Sequence, residues 1–305
     1  MTTHFIDLAD FDKSTLTKIL ADADAMKSGN KPHHDRLLGK TVAMIFEKPS
    51  TRTRVSFEVG IRQLGATPLN LRSEEMQLGR GESISDTAKV LSGYVDAIMI
   101  RTAGHHIITE LAENASVPVI NGLTDRSHPC QIMADLMTIA EHKAQDHDFS
   151  NLKVSWFGDG NNVAASFIEA AQIFGFKLDL AVPSALAPEA DLMSLIDGEQ
   201  IRMIEDPATA ASDSDVLVTD TWVSMGDGGG ATNSGDASAM LERYQVDQKM
   251  MNLAKDDAIF LHCLPVYRGK EASADVVDGP QSVIWQEAEN RLHAQKAIMA
   301  FCLGL

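Results

Sequence analysis

The residues able to do chemistry are concentrated at five places along the 305-residue chain. The first is KPSTRTRVSFE at 48 to 58, where Ser50, Thr51 and Thr53 supply hydroxyls and Arg52 and Arg54 supply guanidinium groups. It follows an apolar run and opens a helical pattern that continues through Val55 and Val59 to Leu64. The donors therefore gather at a helix N-terminus, where backbone amides and the helix dipole favour an anion such as phosphate. A serine N-cap flanked by solvated arginines is the plainer account of the same residues. The second is RSHPCQIMADLMTI at 126 to 139, where His128 and Gln131 flank the entry to an amphipathic helix, placed either to cap it or to meet a ligand. The third, FGDGNNVAASFIEAA at 157 to 171, is a strand-to-helix turn whose Gly158 and Gly160 imitate a dinucleotide fingerprint. Val163 stands where the third glycine belongs, and Val182-Pro183 where a ribose-binding acid belongs, which counts against a nicotinamide-dependent dehydrogenase. Asn161 and Asn162 remain as polar groups at a strand end, or as an Asn-rich turn. The last two, DTWVSMG (220 to 226) and HCLPV (262 to 266), each close an apolar strand. Asp220 can hold an ammonium group, and Cys263, beside His262, can assist proton movement or pack as a small hydrophobe.

Strands and helices must hold these places together, and the pattern supplies both. Apolar runs of the kind that fill central strands occur at TVAMIF (41 to 46), DAIMI (96 to 100) and PVIN (118 to 121), separated by helix-length amphipathic segments. After the polar stretch EHKAQDHDFSN (141 to 151) the alternation restarts with KVSWF, a helix to about Gly175 and KLDLAVP. DVLVTD (215 to 220) and DAIFLHC (257 to 263) follow, and the chain ends in a helical pattern. Such alternation predicts α/β architecture with parallel sheets, whose ligands bind at the carboxyl ends of strands. The length predicts two domains.

Composition narrows the function classes. The formal charge of −17 repels nucleic acid and acidic membrane surfaces. Residues 1 to 150 carry 16 Lys+Arg against 20 Asp+Glu, and residues 151 to 305 carry 10 against 23, so an anionic ligand prefers the first half. An acidic solvated surface accounts for the excess equally well. Cys130, Cys263 and Cys302 are far apart and form no C-x-x-C pair, which suggests neither a disulfide framework nor a zinc site and fits a reducing cytosol. No apolar run approaches the ~20 residues of a membrane span, and MTTHFIDLADFDK lacks the features of a signal peptide. A cytoplasmic location is expected.

Over nearly its whole length the chain resembles the ornithine carbamoyltransferases of the aspartate/ornithine carbamoyltransferase superfamily. STRTR at 50 to 54, MQLGRGESISDTA at 76 to 88, Arg101, HPCQ at 128 to 131, DGNN at 159 to 162, DTWVSM at 220 to 225, HCLP at 262 to 265 and ENRLHAQKAIM at 289 to 299 occur in family order. HPCQ, HCLP and DTWVSM are similar to the ornithine branch rather than the aspartate branch. The resemblance implies two Rossmann-like domains joined by interdomain helices, with the active site in the cleft. Residues 1 to 133 with the C-terminal helix 288 to 305 would bind carbamoyl phosphate, and 134 to 287 would bind ornithine. It further implies no metal and no organic cofactor, a homotrimer with shared sites, and L-citrulline and phosphate as products. Carried onto this chain, Ser50, Thr51, Arg52, Thr53 and Arg101 would hold the phosphate, with Gln77 entering from a neighbouring subunit. His128 and Thr53 would polarise the carbamoyl carbonyl, and Gln131, Cys263, Leu264 and Arg291 would orient the carbamoyl group. Asn162, Asp220, Ser224 and Met225 match the ornithine ligands, with Asn161 leaving a one-residue ambiguity.

Two departures from the family pattern stand out. The segment GDGGGATNSGDASAM (226 to 240) is rich in glycine and small polar residues, where relatives commonly carry a charged, helix-prone insert, and it suggests a closing lid. Position 81 is glycine, whereas the aspartate branch has a substrate-binding lysine nearby, which disfavours aspartate as the acceptor. Putrescine or N-acetylornithine are the alternative acceptors, and a non-catalytic binding protein on the same fold is the alternative class. Arg52, His128, Asp220 and Cys263 are all present, which argues for catalysis.

Overall fold

The structure is a computed structural model that describes residues 2–30, 32–47, 50–72, 81–222 and 234–305, with the backbone alone for 234–237. Gln77, Ser224 and Met225 lie outside the described residues, as does the stretch 226 to 233 of the glycine-rich segment. From 234 onwards that segment forms a helix, Ser234–Leu241.

Two compact units divide the chain: residues 1–134 with 290–305, and residues 135–289. The chain crosses between them twice, each time inside a helix, α5 (Pro129–Lys143) and α7 (Ile284–Cys302). The first unit holds a parallel sheet of β1 (Thr41–Phe46), β2 (Thr67–Arg72), β3 (Ala97–Arg101) and β4 (Val119–Leu123) in the order β2-β1-β3-β4. Its helices are α1 (Lys13–Lys27), α2 (Thr51–Gln63), α3 (Ile84–Ser92) and α4 (His105–Asn114). Strand alternation sends Ala43, Ile45, Ile98 and Ile100 to one face, where they pack with Ala88 of α3 and Ile108 and Leu111 of α4. The chain start docks on the free edge of β4, through Phe5 N–H to Val119 O and Asn121 N–H to Phe5 O, both 2.8 Å.

The second unit holds β5 (Lys153–Phe157), β6 (Lys177–Ala181), β7 (Ile201–Ile204), β8 (Val216–Thr219) and β9 (Ile259–His262), all parallel, in the order β7-β6-β5-β8-β9. Between β5 and β6 runs α6 (Asn162–Phe174), in which every residue from Val163 to Ala171 is buried, Glu169 included. Asn161 caps its start and Gly175, at φ 83°, its end.

Both sheets change direction once. In the first, β1 is followed by β2 on one side while β3 lies on the other; in the second, β5 has β6 on one side and β8 on the other. At such a switch point the connecting segments diverge and leave a crevice beyond the strand ends, which is where polar residues can meet a ligand. STRTR and Arg101 sit at the first switch point, and the DGNN turn and Asp220 at the second.

Gly160 of the DGNN turn has a packing reason. A Cβ on Gly160 would lie 2.3 Å from the backbone nitrogen of Pro188, a distance no side chain tolerates, so close backbone approach, not a cofactor phosphate, demands glycine there. Gly160→Ala should therefore destabilise the second unit by about 1 to 3 kcal/mol in denaturant melts. Gly93→Ala, whose Cβ would find its nearest neighbour at 3.4 Å, serves as the control and should change stability by less than about 0.5 kcal/mol.

Candidate active site

In the first unit the functional side chains converge on Thr53. Ser50, in extended conformation, accepts the Thr53 N–H at 3.3 Å and so caps α2, as its sequence position suggests. Capping leaves Thr53 Oγ1 pointing inward, 1% exposed, where it accepts Arg101 Nη1 at 3.3 Å and Arg291 Nη2 at 2.8 Å. Arg291 Nη1 also donates to Gln131 Oε1, so α2, β3, α5 and α7 meet at one hydroxyl and one guanidinium. Arg101 ends β3, and its carbonyl accepts the Glu47 N–H at 2.9 Å. The Glu47 carboxylate in turn takes the Thr102 hydroxyl and the Ala103 N–H (2.8 Å), so the ends of β1 and β3 are stapled together.

His128 is 3% exposed, immediately before α5, and its carbonyl accepts the Gln131 N–H at 3.0 Å. Burial, and then the Arg291 and Arg101 charges, hold its imidazole well below the ordinary histidine range. The ring is therefore neutral near pH 7 and can donate a hydrogen bond without bringing a charge. Burial likewise pushes the Cys130 thiol up to about 12, so the cysteine of HPCQ is an inert packing residue.

In the second unit the centre is Asp220, just beyond β8. Its Oδ1 accepts the Thr221 N–H at 2.7 Å and the Cys263 thiol at 2.9 Å, and its Oδ2 accepts Asn161 Nδ2 at 3.2 Å. Asn161 is engaged at both ends of its amide, because its Oδ1 caps α6 through the Val163 and Ala164 N–H groups. Asn162 begins the helix itself, its carbonyl accepting Ser166 Oγ. Close packing around the sulfur, and then the Asp220 carboxylate, push the Cys263 thiol well above its usual range, so it acts as a neutral donor.

The HCLP turn is held from within. His262 is fully buried; its N–H donates to Glu287 Oε2 at 2.7 Å, its Nδ1 accepts the Leu264 N–H at 2.8 Å, and its Nε2 lies 3.4 Å from Glu271 Oε1. The Leu264 N–H bond fixes the tautomer with the proton on Nε2. Leu264 takes φ 61°, a conformation that this bond secures. Asp220, His262 and Cys263 bring ligand-type atoms within 4.8 Å of one another. Both imidazole nitrogens face other protein groups, Leu264 and Glu271, and the thiol gives its proton to Asp220, so as folded the three do not present free ligand atoms to one point.

Residues 3–141 match the family description "Aspartate/ornithine carbamoyltransferase, carbamoyl-P binding domain", and residues 150–302 match "Aspartate/ornithine carbamoyltransferase, Asp/Orn binding domain". The chain therefore belongs to the aspartate/ornithine carbamoyltransferase family. Within it, the chain is 54% identical over 309 residues to a protein of Rhodopseudomonas palustris named ornithine carbamoyltransferase, covering 100% of this chain and 97% of that one. It is similar, too, to the solved ornithine carbamoyltransferase of Pyrococcus furiosus, at TM-score 0.91 and 44% identity over 98% of this chain and 96% of that one. The anabolic ornithine carbamoyltransferase of Campylobacter jejuni gives TM-score 0.89 at 38% identity, over 98% of both chains.

Of the residues singled out by sequence, Ser50, Thr53, Arg101, His128, Gln131 and Arg291 share the first unit, with Thr51 and Arg52 in the first turn of α2. Asn162, Asp220, Cys263 and Leu264 share the second. Glu47, Thr221, Glu271 and Glu287, which hold these residues in place, carry no local signal and were not foreseen.

The neutral buried imidazole has a consequence for acid stability. Below pH about 6.5 the unfolded chain takes up a proton at His128 that the folded chain refuses, so stability falls as pH falls through this window, by up to about 1.4 kcal/mol per pH unit. Denaturant melts between pH 7 and 5 should show a shallower loss of stability for His128→Gln than for the parent protein.

Proposed function

We propose that this chain transfers the carbamoyl group of carbamoyl phosphate to the side-chain amine of L-ornithine, giving L-citrulline and phosphate. The observation that carries the reading is the Asp220 carboxylate at the second switch point, held at 2.7 to 3.2 Å by Thr221, Cys263 and Asn161. A carboxylate fixed in this way is matched to an alkyl ammonium, and relatives 54% identical to this chain are named for ornithine.

Each cluster has a part in the mechanism. Ser50, Thr51, Arg52 and Thr53 at the α2 N-terminus, with Arg101, hold the phosphate, whose charge suits a helix start lined by guanidinium groups. Thr53 and neutral His128 donate to the carbamoyl oxygen, which becomes an oxyanion as the amine adds. Gln131, Arg291, Leu264 and Cys263 orient the carbamoyl group. The ornithine side-chain amine titrates near ~10.4, like lysine, and must lose a proton before it attacks. Asp220 and Cys263 face that amine and ease its deprotonation, and Asn162, Ser224 and Met225 read the amino-acid head group. Asn161 is spent on capping α6 and holding Asp220, which favours Asn162 as the ligand of the two. The collapse of the tetrahedral intermediate releases phosphate, paired with arginine as it leaves.

The finer reading is a cytoplasmic homotrimer serving arginine biosynthesis, with Gln77 completing a neighbour's site. The anabolic Campylobacter jejuni neighbour agrees with that direction. Among the described residues no helix is long and apolar enough to cross a membrane.

Initial rates with ornithine, putrescine, N-acetylornithine and aspartate, each beside carbamoyl phosphate, test the acceptor. Ornithine should lead by at least about 100-fold in kcat/KM, since a site built to bond a polar head group rejects analogues that lack it. A preference for putrescine would overturn the reading. Asp220→Asn should lower kcat by about 10² to 10⁴ while carbamoyl phosphate binding, measured by calorimetry, changes only a few-fold. Shared sites predict a further result: mixed Arg52→Ala and Gln77→Ala chains, each inactive alone, should regain activity after subunit exchange.

A further inference from the structure

The residue before His128 has all of its polar groups engaged. Ser127, 1% exposed, donates its hydroxyl to Asp7 Oδ1 and accepts Asn121 Nδ2 at 3.0 Å. Its N–H donates to Thr124 Oγ1 at 3.2 Å, and its carbonyl accepts the Thr124 N–H at 2.9 Å. Thr124 Oγ1 lies 3.0 Å from His105 Nδ1, and His105 Nε2 lies 3.2 Å from Asp7 Oδ2. These contacts close a ring: Asp7, Ser127, Thr124, His105 and back to Asp7.

The proton directions around the ring are consistent. Thr124 Oγ1 accepts from Ser127 and gives its own proton to His105 Nδ1; His105 Nε2–H and the Ser127 hydroxyl both donate to the Asp7 carboxylate. Only a group that accepts at both oxygens closes the circuit. Burial pushes the Asp7 carboxyl up, but the bonds from His105 and Ser127 outweigh it and hold the carboxyl below its ordinary value, so Asp7 is ionised near pH 7. Asp7 is anchored in its turn, because Asn121 also bonds the Ile6 carbonyl at 2.9 Å and the Asp7 N–H donates to Asp10 Oδ2 at 3.1 Å.

We infer that Asp7 and Ser127 are positioning residues for His128: the ring fixes the backbone on its N-terminal side, the first turn of α5 fixes it on the other, and the imidazole is aimed by both. The consequence for catalysis rests on the reading that His128 meets the carbamoyl oxygen. Asp7, some 120 residues away in sequence, touches no substrate under that reading and acts through Ser127, directly and by way of His105 and Thr124.

Asp7→Asn and Ser127→Ala in the full-length chain test the inference. An asparagine offers one acceptor and one donor where two acceptors are needed, so it breaks the ring at one bond while keeping its shape. Spectra of protein labelled in its histidine rings, with the His128 signal assigned by its loss in His128→Gln, report the placement directly. In both variants the His128 signal should move while that of His262, in the other unit, stays. The kcat should fall about 10- to 100-fold, as expected for a catalytic group displaced by about 1 Å, with the carbamoyl phosphate KM changed less than about 3-fold. Ser127→Thr, which keeps the hydroxyl, should recover kcat to within about 3-fold of the parent. If Asp7→Asn proves too unstable, Ser127→Ala decides alone. An unmoved His128 signal with kcat within 2-fold of the parent would overturn the inference. A moved signal with unchanged kcat would uphold the placement and overturn the role given to His128.

Discussion

A guanidinium taken out of water must have its donors met, and Arg291, 4% exposed, imposes that requirement on everything around it. Its partners are the Thr53 hydroxyl and the Gln131 amide oxygen, so the starts of α2 and α5 have to reach the same point as α7. Thr53 can face inward because Ser50 has taken over the capping of α2. Arg101 then bonds the same hydroxyl from β3, and burial, reinforced by these two cations, keeps the neighbouring His128 imidazole neutral. Four elements thus meet around one buried charge.

The second unit solves a similar problem with the opposite sign. Asp220 is a carboxylate at a strand end, and its surroundings offer it an amide, a backbone N–H and a thiol rather than a cation. Donors of this kind fix its direction. Burial, and then the carboxylate, keep the Cys263 thiol protonated, which fits a donor rather than a nucleophile. Geometry at the HCLP turn depends on His262 and two buried glutamates that contribute shape and proton position.

Much of this was legible in the sequence, and the limits have physical causes. The strands β1, β3, β4, β5, β6, β8 and β9 announce themselves as apolar runs because their side chains are largely buried. Two of the edge strands, β2 (TPLNLR) and β7 (IRMI), give no such signal: β2 exposes Thr67, Leu69 and Arg72, and in β7 Arg202 interrupts the apolar run and only Ile201 is buried. The positions at the strand ends could be found because ligand chemistry clusters unusual residue types within a few positions, as in STRTR and HPCQ. The residues behind them could not. Asp7 and His105 support Ser127 from distant segments, Glu47 staples β3 from the end of β1, and a lone acid or histidine in sequence says nothing of the partner that tertiary structure will bring. Gly160 reads like part of a nucleotide loop, yet the approach of Pro188 is what requires it.

The first unit is discontinuous, and this sets a timetable for synthesis. Residues 1–134 leave the ribosome before the second unit, carrying Thr53 and Gln131, but residues 290–305 with Arg291 are made only after it. At ~5 to 20 residues per second the wait is on the order of 10 to 30 s. During it the second unit, whose residues run unbroken from 135 to 289, can form its own sheet and core. The unit that begins first is therefore completed after the other, and the cluster around Thr53 is assembled only when the closing helix arrives. A nascent chain stopped short of residue 291 lacks the guanidinium that joins Thr53 to Gln131, so incomplete products carry that cluster half-built.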